Sequence, residues 1–164
     1  MIHFRIEYNL AMDDLDRKLA TRLANDARAS WAELGAELGL SPPAVADRAK
    51  RLCERGVIRG YHAVLDPAAL GYGLTAFVAV TLTHPRDRAK FLAVVNKRDE
   101  IKEAHHIAGE DDYLLKVHCR DTQHLEHFLT SILKSIPGVQ RTRTSIALGT
   151  AKDLATLQPP RAVS

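Results

Sequence analysis

The sequence lacks any long hydrophobic run. No apolar stretch in its 164 residues approaches the roughly 20 residues that a membrane-spanning helix requires, which excludes an integral membrane protein with such a helix. The segment 1–11 has a single arginine, Arg5, and no extended apolar core before a small-residue cleavage site, so we expect no secretory signal. These absences predict a soluble protein located in the cytoplasm.

Cysteine is equally scarce. The two cysteines, Cys53 and Cys119, stand far apart in apolar patterns, which excludes a disulfide framework and predicts reduced, buried thiols. No Ser-His-Asp or Cys-His pairing is evident, so nothing marks a catalytic nucleophile. His124 and His127 have helical spacing, but structural zinc sites usually add closely spaced cysteines. We therefore expect no metal and no cofactor, and interpret these histidines as a solvated helix face.

The net charge of +3 is small and by itself points to no partner. Its distribution is more informative, because the segment from Ser41 to Arg59 holds two acids, Asp47 and Glu54, against five bases: Arg48, Lys50, Arg51, Arg55 and Arg59. A local basic face is typical of a polyanion-binding surface, although most charge runs are simply solvated helix faces. Charge alone leaves both interpretations open.

Two helices are predicted before this basic segment. Leucines recur every four residues from Leu15 through Leu23, which indicates an apolar stripe on a first helix. Ser30 and Glu33 have the spacing of a capping box at the start of a second helix. The apolar face of that helix is expected to comprise Trp31, Leu34 and Leu38, with Trp31 in the core rather than stacked on a base.

A tight turn then leads into a third helix. Gly39 can adopt the left-handed conformation that ends a helix, and only Leu40 separates it from Ser41, the next N-cap. Pro42 falls at the first helical position, where the missing N–H would have no helical partner and the fixed φ is already suitable. The two prolines therefore begin the third helix.

The third helix has one packing face and one free face. Val45, Ala49, Leu52 and Cys53 cluster on one side of the helical wheel. Two short helices joined by a glycine-containing turn are the sequence form of a helix-turn-helix, whose second helix enters the major groove of DNA. A helical hairpin packed for protein contact is the alternative. The predicted DNA-contact residues are Ser41, Pro43, Ala44, Asp47, Arg48, Lys50, Arg51 and Arg55, of which Asp47, Arg48 and Arg51 are expected near bases.

A change of pattern marks a second domain. Residues 12–60 form the predicted helix-turn-helix domain, and residues 61–73 a linker strand and hinge, with alternating apolar residues before Asp66-Pro67 and glycines at 71 and 73. Residues 74–152 then give the order βαββαβ, the ferredoxin-like arrangement of an antiparallel sheet with both helices on one face. The second helix is predicted over Thr122 to Ile136 and the last strand over Arg143 to Leu148. The overall class is α+β, with the segments 1–11 and 153–164 as an N-terminal extension and a C-terminal tail.

The predicted sheet has a second, uncovered face. The first strand, "LTAFVAVTL", is expected to be buried on both sides. We place Phe77, Ala79, Leu114 and Ile146 on the uncovered face, and such an open apolar surface predicts that subunits pair through their sheets.

Three consecutive acids follow Gly109 between the two middle strands. Glycine and aspartate are ordinary turn residues, so a polar hairpin turn is the simplest interpretation of "AGEDDY". Alternatively, one acid at a subunit interface could receive the ammonium group of an amino-acid ligand while backbone amides receive its carboxylate.

Four motifs together resemble the Lrp/AsnC, or feast/famine, family of transcriptional regulators over roughly residues 12–152. They are "LDRKLATRLANDARAS", "LGLSPPAVADRAKRLCERGVIRGYHAVLDPAALGY", "AGEDDYLLKV" and "IPGVQRTRTSIAL". The resemblance implies a winged helix-turn-helix that binds double-stranded DNA, a strand linker, and an ACT-like (RAM) ligand-sensing domain. It also implies homodimers that assemble into octamers or other rings.

The resemblance further implies a small-molecule effector, commonly an amino acid, bound between dimers around the glycine-acid loop and the last strand. The positions it indicates are Ala108, Gly109, Glu110, Asp111, Asp112, Thr122, Ser145, Ile146 and Ala147. Members of the family tend to begin near a stretch like "MDDL", so residues 1–11 are an extension to which no function is attached.

An enzyme of the same architecture is the competing interpretation. Sirohaem decarboxylases resemble these regulators but have a histidine-rich substrate motif in a middle strand, and His105-His106 lies at about that place. The loop that follows is of the regulator type and the third helix keeps its basic face. We therefore expect a sequence-specific DNA-binding regulator and not an enzyme.

Overall fold

The computed structural model describes residues 12–152, so the predicted extension and tail lie outside the described residues. The chain divides into two compact units between Val64 and Leu65, within the predicted linker. Each unit has its own hydrophobic core. Over the described range, every helix is too short or too polar to cross a membrane.

The first unit consists of three helices: α1 (Asp14–Asn25), α2 (Trp31–Leu38) and α3 (Pro42–Glu54). The apolar stripes predicted from the sequence meet in one core, because leucines of α1 and α2 pack against the aliphatic face of α3. The residues buried in this core are Leu19, Leu23, Leu34, Val45, Ala49 and Leu52.

The ends of these helices follow the predicted chemistry. The capping box is present, with the Ser30 hydroxyl accepting from the backbone N–H of Glu33 and the Glu33 carboxylate accepting from that of Ser30. Gly39 ends α2 at φ 68°, in the left-handed region. Asp13 caps α1, and Pro42 and Pro43 open α3 as expected. The Ser41 side chain makes no capping hydrogen bond.

Gly35 makes the α2–α3 turn this tight. A Cβ atom at this position would lie 2.6 Å from the carbonyl oxygen of Leu40, which is too close for any side chain. The Leu40 N–H donates to the Gly35 carbonyl at 2.9 Å. A glycine inside a helix therefore allows the following turn to fold back directly onto α2.

Two expectations for this unit are wrong. Trp31 is 39% exposed, because α2 buries residues only from its second turn, at Leu34 and Gly35. Cys53 is exposed rather than buried, since it lies about 100° around the helix from Leu52 and at the margin of the packed face. Cys119, in the second unit, is buried as predicted, and burial raises the pKa of its thiol to about 11.

The wing and the linker strand are also absent from the described residues. Residues 57–66 follow α3 in an irregular conformation, and a short turn occupies 67–71. A strand requires a hydrogen-bonded neighbour, and no strand in the described part of this single chain pairs with the segment. Val64 and Leu65 are accordingly well exposed despite their apolar side chains.

The second unit has the predicted βαββαβ order. Its elements are β1 (Leu74–Leu82), α4 (Arg88–Val95), β2 (Ile101–His106), β3 (Tyr113–Cys119), α5 (Thr122–His127) and β4 (Val139–Ile146). All pairs are antiparallel and the sheet order is β2-β3-β1-β4. The centre of the core is formed by alternate residues of β1 and β3 with Phe91 of α4 and Phe128 beyond α5.

The last helix and strand differ in detail from the prediction. The helix predicted over Thr122 to Ile136 is α-helical only as far as His127 and continues as a π-helix from Phe128 to Leu133. Strand β4 begins at Val139, four residues earlier than the predicted Arg143, because Pro137-Gly138 forms the turn directly before it.

The prediction of an apolar uncovered face is correct for Phe77, Ala79 and Leu114 and wrong for Ile146. Phe77 and Ala79 of β1 do face the uncovered side, but Ala79 is only 8% exposed, and their β4 partners are Ser145 and Arg143. Ile146 instead pairs with buried Ala76, and the two-residue alternation of a strand places it on the helix-covered side. The uncovered face therefore carries an apolar patch around Phe77 among polar and charged residues: Glu103, His105, Lys116, His118, Arg141 and Arg143.

Candidate DNA interface and effector site

The first half of α3 projects a compact surface. Ser41, Pro42, Pro43 and Asp47 are exposed and Ala44 is half-buried, while Val45 anchors this turn in the core. The N-terminus of a helix has unpaired backbone N–H groups and the positive end of the helix dipole, both of which favour a phosphate. These predicted contact residues are thus presented together at one helix end.

The next two predicted residues lie on the exposed side of the same helix. Lys50 and Arg51 have 74% and 55% of their side chains exposed. Each forms a pair one turn along the helix, Arg51 with Asp47 at 2.8 Å and Lys50 with Glu54 at 3.8 Å. Such solvated pairs are worth little and are easily exchanged for a phosphate.

Arg48 and Arg55 are placed differently. Nη1 of Arg48 donates to Oδ2 of Asp13 and to Oδ1 of Asp16, both at 2.7 Å. Nη1 of Arg55 lies 3.5 Å from the other carboxylate oxygen of Asp16. The geometry therefore divides the predicted DNA-contact residues into an exposed group and two arginines engaged inside the domain.

The engaged group joins α1 to α3. Asp13 caps α1 by accepting from the Asp16 backbone N–H at 2.7 Å, and this bond together with Arg48 lowers the pKa of the Asp13 carboxyl. The hydrogen bonds to Asp13 and Asp16 raise the pKa of Arg48 further above its usual value. Neither acid's role is evident from the sequence, because their partner Arg48 is more than 30 residues away.

Asp111 is the centre of the glycine-acid loop. Its side chain is 4% exposed; Oδ1 accepts from the Thr81 hydroxyl at 2.9 Å, and Oδ2 pairs with Arg143 at 2.6 Å. Arg141 also reaches Oδ1, at 3.3 Å. The bond from Thr81 and the two guanidiniums lower the pKa of this carboxyl. Both carboxylate oxygens of Asp111 therefore already have partners within the subunit.

The other two acids of the loop differ from each other. Asp112 hydrogen-bonds both ways with β1: its N–H donates to the Val80 carbonyl at 2.9 Å and its carboxylate accepts from the Leu82 N–H at 2.7 Å. Glu110 is 78% exposed and lies 3.6 Å from Arg143. Ala108 and Gly109 complete the exposed turn before them.

The remaining predicted effector residues lie elsewhere in this unit. Thr122 and Ile146 line a groove of about 360 Å³ between the last helix and β4, whose other walls include Leu125, Leu129 and Thr144. Ser145 is exposed on the uncovered side of β4, and the N–H of Ala147 donates to the Thr75 carbonyl at 2.9 Å.

The acid loop and the Thr122–Ile146 groove lie at opposite ends of the sheet. The acid loop adjoins Val80, whereas Ile146 pairs with Ala76, four residues earlier in the same strand. Four residues of strand span about 13 Å. One amino acid, whose ammonium and carboxylate share a single carbon, cannot contact both groups within one subunit.

The histidines do not gather into a metal site. Over residues 12–152, no three His, Cys, Asp or Glu side chains form a group suited to a metal ion. His124 lies 3.7 Å from Glu100, His105 lies 3.0 Å from Glu103, and the ring of His106 contacts that of Tyr113.

The fold and these surfaces define a class: a helix-turn-helix unit with a cationic third helix, followed by a ferredoxin-like unit. The AsnC-type helix-turn-helix domain matches residues 12–52, and the Lrp/AsnC ligand-binding domain matches residues 75–157. The chain belongs to the Lrp/AsnC family of DNA-binding transcriptional regulators.

Individual relatives agree with this assignment. The chain is 40% identical to the HTH-type transcriptional regulator LrpA of Mycobacterium tuberculosis, over 87% of this chain and 93% of that protein. It is 37% identical to the leucine-responsive regulatory protein of Escherichia coli K12, over 86% and 87%. These similarities give no support to the sirohaem-decarboxylase interpretation.

Solved structures are similar over nearly the whole described chain. A transcriptional regulator of Neisseria meningitidis in complex with L-methionine gives a TM-score of 0.85 at 33% identity, covering 89% of this chain and 96% of that one. Escherichia coli AsnC gives 0.84 at 31% identity, covering 90% and 99%.

Proposed function

We propose that this regulator binds duplex DNA through the exposed group on α3 and that an amino acid bound between dimers modulates this binding. The observation that supports the DNA surface is the clustering of Ser41, Pro43, Ala44, Asp47, Lys50 and Arg51 on the solvent side of α3. Arg51 and Asp47 are placed nearest to bases, and Lys50 to the phosphate backbone. Because DNA is the partner, a cytoplasmic location is part of this proposal.

The effector site requires a second subunit. The acid loop and the Thr122–Ile146 groove are separated by about 13 Å of strand, so one ligand can contact both only where two copies bring opposite sheet ends together. Similar regulators have been solved with L-methionine, which supports an amino acid as the ligand class. Asp112 offers the carboxylate for its ammonium group, because both oxygens of Asp111 already have partners and Glu110 is 78% exposed on the loop.

The assembly proposed is a homodimer that forms higher oligomers. Phe77 is 39% exposed on the uncovered face, with Leu114 beside it and charged residues around it. This patch has the apolar centre and polar rim of a protein interface. Pairing through this face leaves the Thr122–Ile146 groove of each subunit accessible to further dimers. No catalytic role is included in the proposal.

The DNA half of this proposal is tested by fluorescence anisotropy. Labelled duplex from the protein's own upstream region and a scrambled duplex are titrated with the protein at two salt concentrations. Specific binding should be tight, should weaken with salt and should prefer the upstream duplex. Arg51→Ala should weaken binding about tenfold without changing oligomer size. Lys18→Ala, which removes an exposed cation from α1 instead, should have little effect; equal losses would contradict the α3 surface.

The effector half is tested by adding each amino acid in turn to the same titration. One amino acid should shift the DNA affinity by about 5- to 150-fold, the usual range of such coupling. Asp112→Asn keeps an acceptor for the Leu82 N–H but removes the charge, so it should abolish the shift while sparing DNA affinity. Glu110→Gln is the matched control for loop charge. An unchanged response in Asp112→Asn would refute the assignment of Asp112.

A further inference from the structure

The Asp16 carboxylate is almost enclosed. Its side chain is 10% exposed. It contacts Arg48, in the middle of α3, at 2.7 Å and Arg55, directly after α3, at 3.5 Å. Their side chains are 21% and 29% exposed, far less than the 55% and 74% of Arg51 and Lys50. The cations of α3 and its C-cap thus form two pairs: a withheld pair, Arg48 and Arg55, and an available pair, Lys50 and Arg51.

The withheld pair changes the charge that the domain presents. Counting only the segment 41–59, five bases face two acids, an excess of three. Asp13 and Asp16 contribute two further acids from α1, directly against Arg48, which reduces this excess to one. The basic surface is therefore weaker than the sequence of α3 indicates.

Arg48 and Arg55 are not easily released to a phosphate. If they turned away, Asp16 would be left as an almost buried charge without a partner, which is far more costly than breaking the exposed pairs of Lys50 and Arg51. Non-specific DNA binding depends almost entirely on the number of phosphates that cations neutralise. Each arginine held internally therefore lowers affinity for every sequence while keeping α3 fixed against α1.

We propose that Asp16 is a positioning residue that sets DNA specificity, because it holds Arg48 and Arg55 within the domain and so limits binding to non-operator DNA. This inference rests on the proposed function, since it requires that α3 binds DNA. The exposed cations of α3 then make the phosphate contacts, and Arg48 orients α3.

The test compares the salt dependence of binding to the scrambled duplex. Asp16→Asn preserves shape but removes the charge that faces both arginines, while Asp13 still contacts Arg48. The expected result is a tighter affinity for scrambled DNA, a plot of log affinity against log salt steeper by about 1 per recognition helix, and a lower ratio of operator to scrambled affinity. A merely structural role would weaken both duplexes and leave the slope unchanged, which would overturn the proposal.

Asp14→Asn is the matched control. Asp14 lies on the same helix turn, is 90% exposed and pairs with Arg17 of α1 at 3.2 Å, so the substitution removes one acid and releases one arginine that does not belong to α3. Its slope should equal that of the wild type. A slope as steep as that of Asp16→Asn would show that overall charge alone is responsible.

A second variant keeps the test decisive if Asp16→Asn does not fold. Arg48→Gln should leave the salt slope unchanged, whereas Arg51→Ala should reduce it by about 1. A reduction in Arg48→Gln equal to that in Arg51→Ala would identify Arg48 as a phosphate contact and refute the proposal. Failure of the wild-type protein to bind either duplex would instead refute the proposed function.

Discussion

The two units of this regulator are stabilised by different means. In the described residues, the helical unit buries six apolar side chains and adds ties between helices: the pair between Arg22 and Glu37 at 2.6 Å, and the group around Asp16. The core of the sheet unit contains thirteen buried apolar side chains, including two phenylalanines. Small domains bury a smaller share of their surface, so polar contacts should matter more in the helical unit.

The arginine–aspartate groups illustrate the same difference. Asp16 and Asp111 are both nearly buried and each contacts two arginines, but the partners of Asp111 have 55% and 60% of their side chains exposed. Arg141 and Arg143 can therefore be solvated if Asp111 is lost, whereas Arg48 and Arg55 have less access to water. Such a group costs more to break when all its members are enclosed.

The largest expected effect comes from truncating the smaller core. Leu34→Ala removes a fully buried side chain where α2 meets the other helices, and should cost about 2–5 kcal/mol of the free energy of unfolding. Trp31 is the chain's one tryptophan and lies in the same unit, so its fluorescence follows this unfolding selectively. The midpoint of the unfolding transition followed by Trp31 should move to a lower denaturant concentration.

The matched variant is Leu115→Ala in the sheet unit, where the side chain is also fully buried. This change should lower the denaturant midpoint of the sheet unit's transition, followed by circular dichroism. The midpoint of the Trp31 transition should stay unchanged. If both variants shifted both signals together, the two units would unfold cooperatively and the comparison would fail.

How much of this could be read from the sequence depended on the range of the contacts. The capping box, the Gly39 turn and the proline entry of α3 involve residues within a few positions of each other, and all were predicted correctly. The βαββαβ order of the elements was also predicted, because the alternation and helix signals are strong and local. The close approach of Leu40 to Gly35 was missed, since it depends on how the turn folds back in space.

The site residues show where this limit lies. Asp16 and Asp13 could not be assigned, because their partners on α3 lie more than 30 positions away. Ile146 was placed on the wrong face because that choice required the register with Ala76. By contrast, Arg141 and Arg143 have the two-residue spacing that puts them on one strand face. That spacing, beside a loop of three acids, was an available signal for the Asp111 group.

The next effect in size concerns Asp111 and pH. Asp111→Asn should destabilise the sheet unit at pH 7, by less than the core truncations, because it weakens the bond to the Thr81 hydroxyl and removes the charge facing two arginines. The folded state lowers the pKa of this carboxyl below 3.8. The stabilisation is therefore complete above that value and disappears as pH falls through the folded-state pKa.

Denaturant unfolding of the sheet unit between pH 7 and pH 2.5 measures this loss. The wild-type and Asp111→Asn curves should differ at neutral pH and converge in acid. Glu110→Gln, which alters the exposed neighbour, should stay within about 0.5 kcal/mol of the wild type throughout. A difference for Asp111→Asn that persisted unchanged at pH 2.5 would rule out the charge as its source.

The smallest effects separate stability from DNA binding within the helical unit. Ser30 and Ser41 are both N-caps, but only Ser30 caps with its side chain. Ser30→Ala should therefore cost about 1 kcal/mol of stability, and Ser41→Ala should cost almost none. If the Ser41 hydroxyl instead contacts a phosphate, Ser41→Ala should weaken DNA binding by a few-fold at unchanged melting temperature, and Ser30→Ala should do the opposite. Melting curves and anisotropy titrations of the two variants measure both quantities. A loss of stability in Ser41→Ala equal to that in Ser30→Ala would show that Ser41, at the exposed start of α3, stabilises the fold and does not contact DNA.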